Sequence, residues 1–393
     1  MELILIVISL VIFFATEIMF FKFFVLRNIE YSLRFSQDEA YEGDDIFIDE
    51  IINNNKNVFV PWLKADIHAS KWLQFANTSS SIIDEERCVS SGFSLKGHQK
   101  VTRRWYTRCA KRGVFTIVNT TLTAGDLLGV MQDSEAFPAN TKLMVFPGIL
   151  RLEEAFFSNK DLMGDMMVKR FIMDDPFIIK GTREYVQGDP LNRVNWKATA
   201  RMQKLMVREN DFTAKKGITV LLNIKSYALE YIDVKYKDVI ELGIKVVNTI
   251  LERGYGMGFP LRLGTNAGIM SNPEEMIFTD SISGPEHIRH LKVILAELIL
   301  KNHLDFPEYI EKHYDEIYDT QVYIVSAYLN DEIIEKADIL RRNGNTVKFL
   351  ILNYTSDAAS SRGMEVFLLD RNTDFLKEGE YYGKYSSGKT DKA

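Results

Sequence analysis

From Ile29 to Val145 the chain shows no sustained helical period, whereas after Lys216-Gly217 strand-like runs alternate with helix-like ones. A sequence that changes its repeat in this way cannot build one uniform architecture, and 393 residues hold two folded domains with room for extras. In the first stretch Ile46-Phe47-Ile48 continues into Ile51-Ile52 and breaks at Asn53-Asn54-Asn55. Further strands are expected at Val58–Ile67, Arg103–Arg108 and Val114–Val118. Short strands parted by Asn, Gly and Ser clusters predict an all-β, immunoglobulin-like sandwich, closed by Phe146-Pro147-Gly148.

The second stretch reads as α/β. Ile218–Ile224 is a buried-type strand, and a helix follows with Val239, Ile240, Val246, Val247, Ile250 and Leu251 at helical spacing. Strands are expected at Gly258–Leu263, Gln321–Ser326, Val347–Leu352 and Glu365–Leu369. Helices are expected at His287–Lys301 and Asp331–Arg342, the latter stopped by Asn343-Gly344. Such alternation predicts a mostly parallel sheet covered on both faces. The organisation expected is an anchor (1–26), a β-domain (27–149), a connector (150–212), an α/β domain (213–370) and a loose tail (371–393). Met163, Met166, Met167 and Met173 lie in the connector and read as gap-fillers between the domains.

The anchor rests on Leu3–Phe24, which is apolar apart from Ser9, Thr16, Glu17 and Lys22. About 20 such residues span a bilayer as a helix. A secretory signal would want a positive start and a small-residue cleavage site, but Glu2 opens this run and no A-x-A follows. Lys22, Arg27 and Arg34 follow the run, so the positive-inside rule places the soluble bulk in the cytoplasm on a single-pass anchor. Glu17 is placed near an interface or against a partner helix.

The densest signal is Lys180–Asp211, KGTREYVQGDPLNRVNWKATARMQKLMVREND. Gly188-Asp189-Pro190 marks a turn, with Asp189 as helix N-cap and Pro190 at the first helical position. Arg193, Lys197 and Arg201 recur every fourth residue and would share one helix face. Between Lys180 and Arg208 seven Lys/Arg (180, 183, 193, 197, 201, 204, 208) stand against two acids, Glu184 and Asp189, in a chain of net charge -6. One reading pairs Arg183, Arg193 and Arg201 with Glu184, Asp189 and Glu209 as a structural junction. The other makes the stripe a docking surface for an acidic partner, phosphate or lipid headgroup. Trp196 among these charges would anchor the helix or stack on a guanidinium.

The run G-T-R-E-Y-x-x-G-D-x-x-x-x-x-N-W-K-A-T-A-R, from Gly181 to Arg201, resembles the signature of the bacterial domain-of-unknown-function 58 family. The residues carrying it are Arg183, Glu184, Tyr185, Gly188, Asp189, Arg193, Asn195, Trp196, Lys197 and Arg201. Lys111-Arg112-Gly113-Val114-Phe115 and Gly125-Asp126-Leu127-Leu128-Gly129 also resemble that family's β-domain ending. The resemblance implies a membrane-anchored N-terminus, a β-rich domain, and a C-terminal region similar to a von Willebrand factor A domain. It also implies association with MoxR-type AAA+ ATPases and other membrane proteins rather than a reaction. Members commonly carry two membrane segments; this chain has one such run.

A von Willebrand A-like domain implies Mg²⁺ held by an Asp-x-Ser-x-Ser loop, a Thr and a later Asp. The corresponding loop is Asn223-Ile224-Lys225-Ser226-Tyr227: Asn replaces the first carboxylate, and Lys and Tyr stand where serines are expected. A hard dication wants oxygen ligands, and an ammonium there repels it. Ser326-Ala327-Tyr328 lacks the later Asp, so Thr265 alone keeps its corner, and neither metal nor cofactor is expected.

Other motifs carry less. Gly383–Thr390 matches the P-loop pattern literally, but no helix can follow three residues from the end of the sequence. His287 and His290, three apart beside Glu286, could share a metal but read better as exposed surface histidines. Cys88 and Cys109 are too few for a disulfide framework and read as reduced thiols. Acidic net charge argues against nucleic acid as a partner. The chain is therefore expected to be a non-enzymatic, membrane-tethered adaptor. A hydrolase or transferase centred on the basic signature, and an extracytoplasmic adhesion protein, are the alternatives.

Overall fold

A computed structural model describes residues 25–125 (except 77 and 79), 132–150, 179–185, 194–210, 217–352 and 363–369, with 8, 9, 12 and 16. The apolar run 3–24 thus lies almost wholly outside the described residues, as do the Met-rich connector, the turn at 188–190, Arg193 and the P-loop-like tail. Among the described residues no helix is long and apolar enough to cross a membrane. The chain divides into two compact units. The first holds Met1–Ile149, Ala267–Glu275 and Glu286–Ile299; the second holds Leu150–Asn266, Met276–Pro285 and Leu300–Ala393.

The first unit is β-rich because its side chains alternate. Ten strands run in order: β1 (Ile29–Phe35), β2 (Glu39–Tyr41), β3 (Asp45–Asn54), β4 (Val60–Ser70), β5 (Leu73–Phe75), β6 (Ser80–Ile83), β7 (Glu86–Leu95), β8 (Lys100–Cys109), β9 (Gly113–Gly125) and β10 (Gln132–Phe146). They form a four-stranded sheet, β1-β3-β8-β5, and a six-stranded sheet, β2-β10-β9-β4-β7-β6. All pairs are antiparallel except β2 with β10. Ile48 and Ile52 of the smaller sheet share one core with Leu63, Ile67, Val89 and Ile117 of the larger. Period-2 burial in β3 carries Glu50 inward with the isoleucines, fully buried. Its carboxylate accepts bonds from Trp105 Nε1 and Ser91 Oγ, both at 3.0 Å, and from the Tyr31 hydroxyl at 3.2 Å. Burial pushes the Glu50 carboxyl above its ordinary range, against the opposing pull of those donors. Cys88 and Cys109 are free thiols, and burial pushes Cys109 up to about 12.

The rest of the chain, in order, is β11 (Ile179–Glu184), α1 (Trp196–Met202), β12 (Met206–Asn210), β13 (Gly217–Leu222), α2 (Lys237–Gly256), β14 (Leu261–Thr265), β15 (Ile277–Phe278), α3 (Pro285–Glu297), α4 (Phe306–His313), β16 (Thr320–Ser326), α5 (Asp331–Arg342), β17 (Thr346–Leu352) and β18 (Glu365–Leu369). A six-stranded sheet, β15-β14-β13-β16-β17-β18, is parallel throughout except where β15 meets β14. Helix α2 covers one face closely: a Cβ at Gly243 would meet Leu352 Cδ1 at 2.8 Å, so any larger residue there would have to displace that side chain. Helices α4 and α5 cover the other face, around Val322, Ile324, Phe349 and Ile351. The expected strand at Gly258–Leu263 sits later, at Leu261–Thr265, because Gly258 (φ 74) and Pro260 finish the turn out of α2. Helix α4 and the short β15 have no counterpart in the sequence reading.

Within the first unit, α3 is held by Arg112 of the Lys111-Arg112-Gly113 turn. The buried guanidinium donates to the carbonyls of Leu295 (2.7 Å), Ala296 (3.1 Å) and Leu298 (3.2 Å). These are carbonyls left open where a helix ends, and a cation there also meets the negative end of the helix dipole. Arg289 pairs with Glu39, and Lys292 Nζ donates to the Tyr41 hydroxyl at 2.9 Å.

Candidate functional site

The signature segment folds as an antiparallel pair, β11 with β12, bracketing α1; Glu184 faces Met206 and Arg183 faces Val207. The described helix begins at Trp196, where Asn195 is its N-cap: Asn195 Oδ1 accepts from Ala198 N–H at 3.2 Å; the start expected at Asp189-Pro190 lies outside the described residues. Asn195 N–H donates to Met206 O at 2.8 Å, and Met206 N–H to Thr199 Oγ1 at 3.0 Å, so the cap and the strand are tied together. Lys197 and Arg201 lie on this helix and are exposed. Trp196 is 70% exposed, so it does not anchor α1 by burial. Tyr185 is half-buried and donates its N–H to Leu205 O. Glu184 pairs with Lys204 at 2.6 Å, a lysine the sequence reading left out of the pairing. Gly188, Asp189 and Arg193 lie outside the described residues, and Arg183 is described only as backbone.

The loop Asn223–Tyr227 sits at the C-terminal ends of β13, β14 and β16, where open α/β sheets place their ligands. Asn223 is fully buried; its Nδ2 donates to Ser326 Oγ at 3.0 Å and its Oδ1 accepts from Lys225 N–H at 3.1 Å. Lys225 extends to an ion pair with Asp305, its side chain 5% exposed and that of Asp305 60% exposed. Asp305 is the N-cap residue of α4 yet makes no capping bond; its carboxylate is turned to the lysine. Thr265 is fully buried, and its Oγ1 finds no hydrogen-bond partner among the described residues. Beside it Asn266 accepts from Ile224 N–H at 3.0 Å and donates to Asn302 Oδ1 at 2.7 Å. A dication does not fit this donor set: Asn223 turns its N–H₂ towards the opposite strand end, and an ammonium stands among the oxygens. Among the described residues no group of three or more His, Cys, Asp or Glu is arranged to hold a metal.

From this edge a loop projects, residues 227–236. Its base is Glu230, buried, whose carboxylate accepts from Ser226 N–H at 2.5 Å, from Ser226 Oγ, and from Lys235 N–H at 2.8 Å. Asn302 holds the far side through Tyr231 O (3.0 Å) and Ile232 O (2.8 Å). The bonds fix the backbone while the apolar side chains face water: Leu229 is 82%, Tyr231 89% and Ile232 62% exposed. Tyr227 and Tyr236 meet edge-on, with Lys235 over both rings. Burial and the acids Asp305, Glu230 and Glu332 raise the nearby Tyr328 phenol, against a hydrogen bond from Asn223. The sequence reading missed Glu230, Asn266 and Asp305. The usable signals were Ser226 and Glu230 four residues apart, and an Asp-Phe-Pro helix start at Asp305.

Comparison with known proteins places this segment. The family model described as "Protein of unknown function DUF58" matches residues 181–258, from the signature hairpin through α2. "Uncharacterized protein YeaD" of Bacillus subtilis (strain 168) is 20% identical over 263 residues, 65% of this chain and 60% of that protein. The alignment therefore spans less than two thirds of the relative. Among solved structures, a non-cellulosomal cohesin from Archaeoglobus fulgidus (13% identity, TM-score 0.20) covers 30% of this chain and 91% of its own. BslA, a bacterial hydrophobin (10% identity, TM-score 0.21), covers 30% and 95%. The likeness to the DUF58 family thus rests on residues 181–258, and that family's description assigns no function.

Proposed function

We propose that the chain is a membrane-tethered adaptor without catalytic activity, its soluble units facing the cytoplasm, that engages a partner through the loop 227–236. In this reading the first unit is an immunoglobulin-like spacer and the second a von Willebrand A-like domain whose metal position has been taken over by Lys225 and Asp305. The observation that carries the proposal is the contrast at the sheet edge: polar groups close on one another, while Leu229, Tyr231 and Ile232 are left in water on a backbone fixed by Glu230 and Asn302. A rigid loop presenting aromatic and aliphatic side chains is a ready binding anchor, since little ordering entropy remains to oppose binding. The resemblance supports a MoxR-type AAA+ ATPase as partner, and Leu3–Phe24 as the tether. Full-length chain isolated from native membranes should retain the ATPase, and Leu229→Asp with Tyr231→Asp should lose it without a change in melting temperature. Retention by that double variant would overturn the assignment of the loop. Resistance of residues 30–393 to protease added to intact cells is expected; cleavage there would favour the extracytoplasmic adhesion reading.

A further inference from the structure

The two ends of the first unit differ in chemistry. One end gathers the entry to β1, the β3–β4 turn and the β7–β8 turn, since Asn53 pairs with Lys100 and Val60 with Leu95. These three passages are bonded to one another. Lys56 Nζ donates to the carbonyls of Val25 and Arg27, Asn55 N–H to Asn28 O at 3.0 Å, and Asn54 Nδ2 to Val58 O and Lys96 O, both at 2.9 Å. A Cβ at Gly97 would lie 2.5 Å from Asn57 O, so the two turns press together as closely as backbones can.

On this end Val58 (43%), Phe59 (46%) and Trp62 (39%) stand exposed. Around them Arg27, Lys96, His98 and Lys100 are exposed, against Glu30, which accepts from Asn53. The opposite end, at the β6–β7 turn, carries Ile82 and Ile83 beside Asp84, Glu85 and Glu86. The eleven residues of β4 separate the two ends by roughly 36 Å, at about 3.3 Å per residue.

Chain reach decides which end meets a bilayer. Val25 and Leu26 are already buried in the core of this unit, at 5% exposure each, directly after the apolar run ending at Phe24. With Leu3–Phe24 read as a span, the sequence leaves no spacer before Val25, since n extended residues reach at most ~3.6 Å × n and here n is close to zero. We propose that this end of the β-domain docks on an anionic bilayer surface, with Val58, Phe59 and Trp62 entering the headgroup layer and Arg27, Lys96 and Lys100 meeting lipid phosphates. The proposal rests on the reading of Leu3–Phe24 as a span. Amphipathic aromatic rings sit favourably at the headgroup level, and Lys or Arg beside a span is drawn to anionic lipid within a Debye length.

The test uses full-length chain in nanodiscs, with Cys88→Ser and a nitroxide on either Phe59→Cys or Ile83→Cys. Discs contain phosphatidylcholine alone or with about a quarter phosphatidylglycerol. In anionic discs the Phe59 label should collide more with oxygen and several-fold less with a water-soluble nickel chelate than the Ile83 label. Lys96→Glu with Lys100→Glu should return the Phe59 label to the aqueous pattern and leave Ile83 and the melting temperature unchanged. A Phe59 label as open to nickel as Ile83, in chains that resist alkaline carbonate extraction from membranes, overturns the docking and leaves the tether standing. Chains released by carbonate overturn the tether itself. Protection of Phe59 that ignores lipid charge and comes with spin–spin coupling assigns this face to a second copy and also overturns the proposal.

Discussion

Lys225 and Asp305 form an ion pair that is lopsided: the lysine side chain is 5% exposed and the aspartate 60%. The ammonium has lost its water and depends on the pair, while the carboxylate can be rehydrated. The two deletions should therefore differ. Asp305→Ala strands a buried charge and should cost ~2–4 kcal/mol, below the ~3–5 of a fully buried pair because solvent reaches the site. Lys225→Met keeps the stem and removes the charge, and should cost less than ~1 kcal/mol. Urea denaturation of both variants checks this, and equal losses would contradict the lopsided pair.

Arg112 should prove hard to replace. Its fork reaches three carbonyls around the end of α3, and lysine, a single point donor, cannot reproduce that geometry. Arg112→Met and Arg112→Lys should both destabilise, by ~2–4 kcal/mol for methionine. Hydrogen exchange should quicken selectively at the amides of Met270 and Ile299, which bond to Glu297 O and Gly268 O. Exchange that quickens uniformly, or not at all, would remove Arg112 from this role.

Glu50 predicts a pH slope. Its folded pKa lies above its unfolded value of roughly 4.3, so over that window the folded state holds a proton that the unfolded state releases. Stability is then lost as pH rises through the window, and restored as pH falls below it. Glu50→Gln keeps the size and removes the titration. Its melting temperature should gain on the parent as pH rises above the unfolded value, and parallel profiles would show that Glu50 does not titrate there.

The exposed stripe and its cap should separate by energy. Lys197→Glu and Arg201→Glu should each change stability by less than ~1 kcal/mol, since both side chains are exposed. Asn195→Ala should cost about 1 kcal/mol through the lost cap to Ala198. If charge reversal also removes a partner from the full-length chain, and raised salt does the same, the stripe docks; loss of folding instead would make it structural.

Signals that act within one turn or one pleat were legible in the sequence. Asn330 capping Ile333 and Gly344 at φ 84 bound α5 at Asp331–Arg342, as the local pattern predicts. The missing helical period and the Asn, Gly and Ser breaks marked the β-rich half, and the change of repeat marked the α/β half; the period-2 burial within each strand came from the structure. The start of β14 was misplaced, because Gly258 and Pro260 finish the turn out of α2 before the strand begins at Leu261. Partnerships between distant residues belong to the tertiary structure alone. Lys225 and Asp305 are 80 residues apart, Arg112 and Leu298 186, and Glu50 and Trp105 55. No local preference encodes such pairs. Each forms because packing has already excluded water from one partner, and a desolvated charge then takes the nearest dipole or counter-charge that chain closure brings within reach.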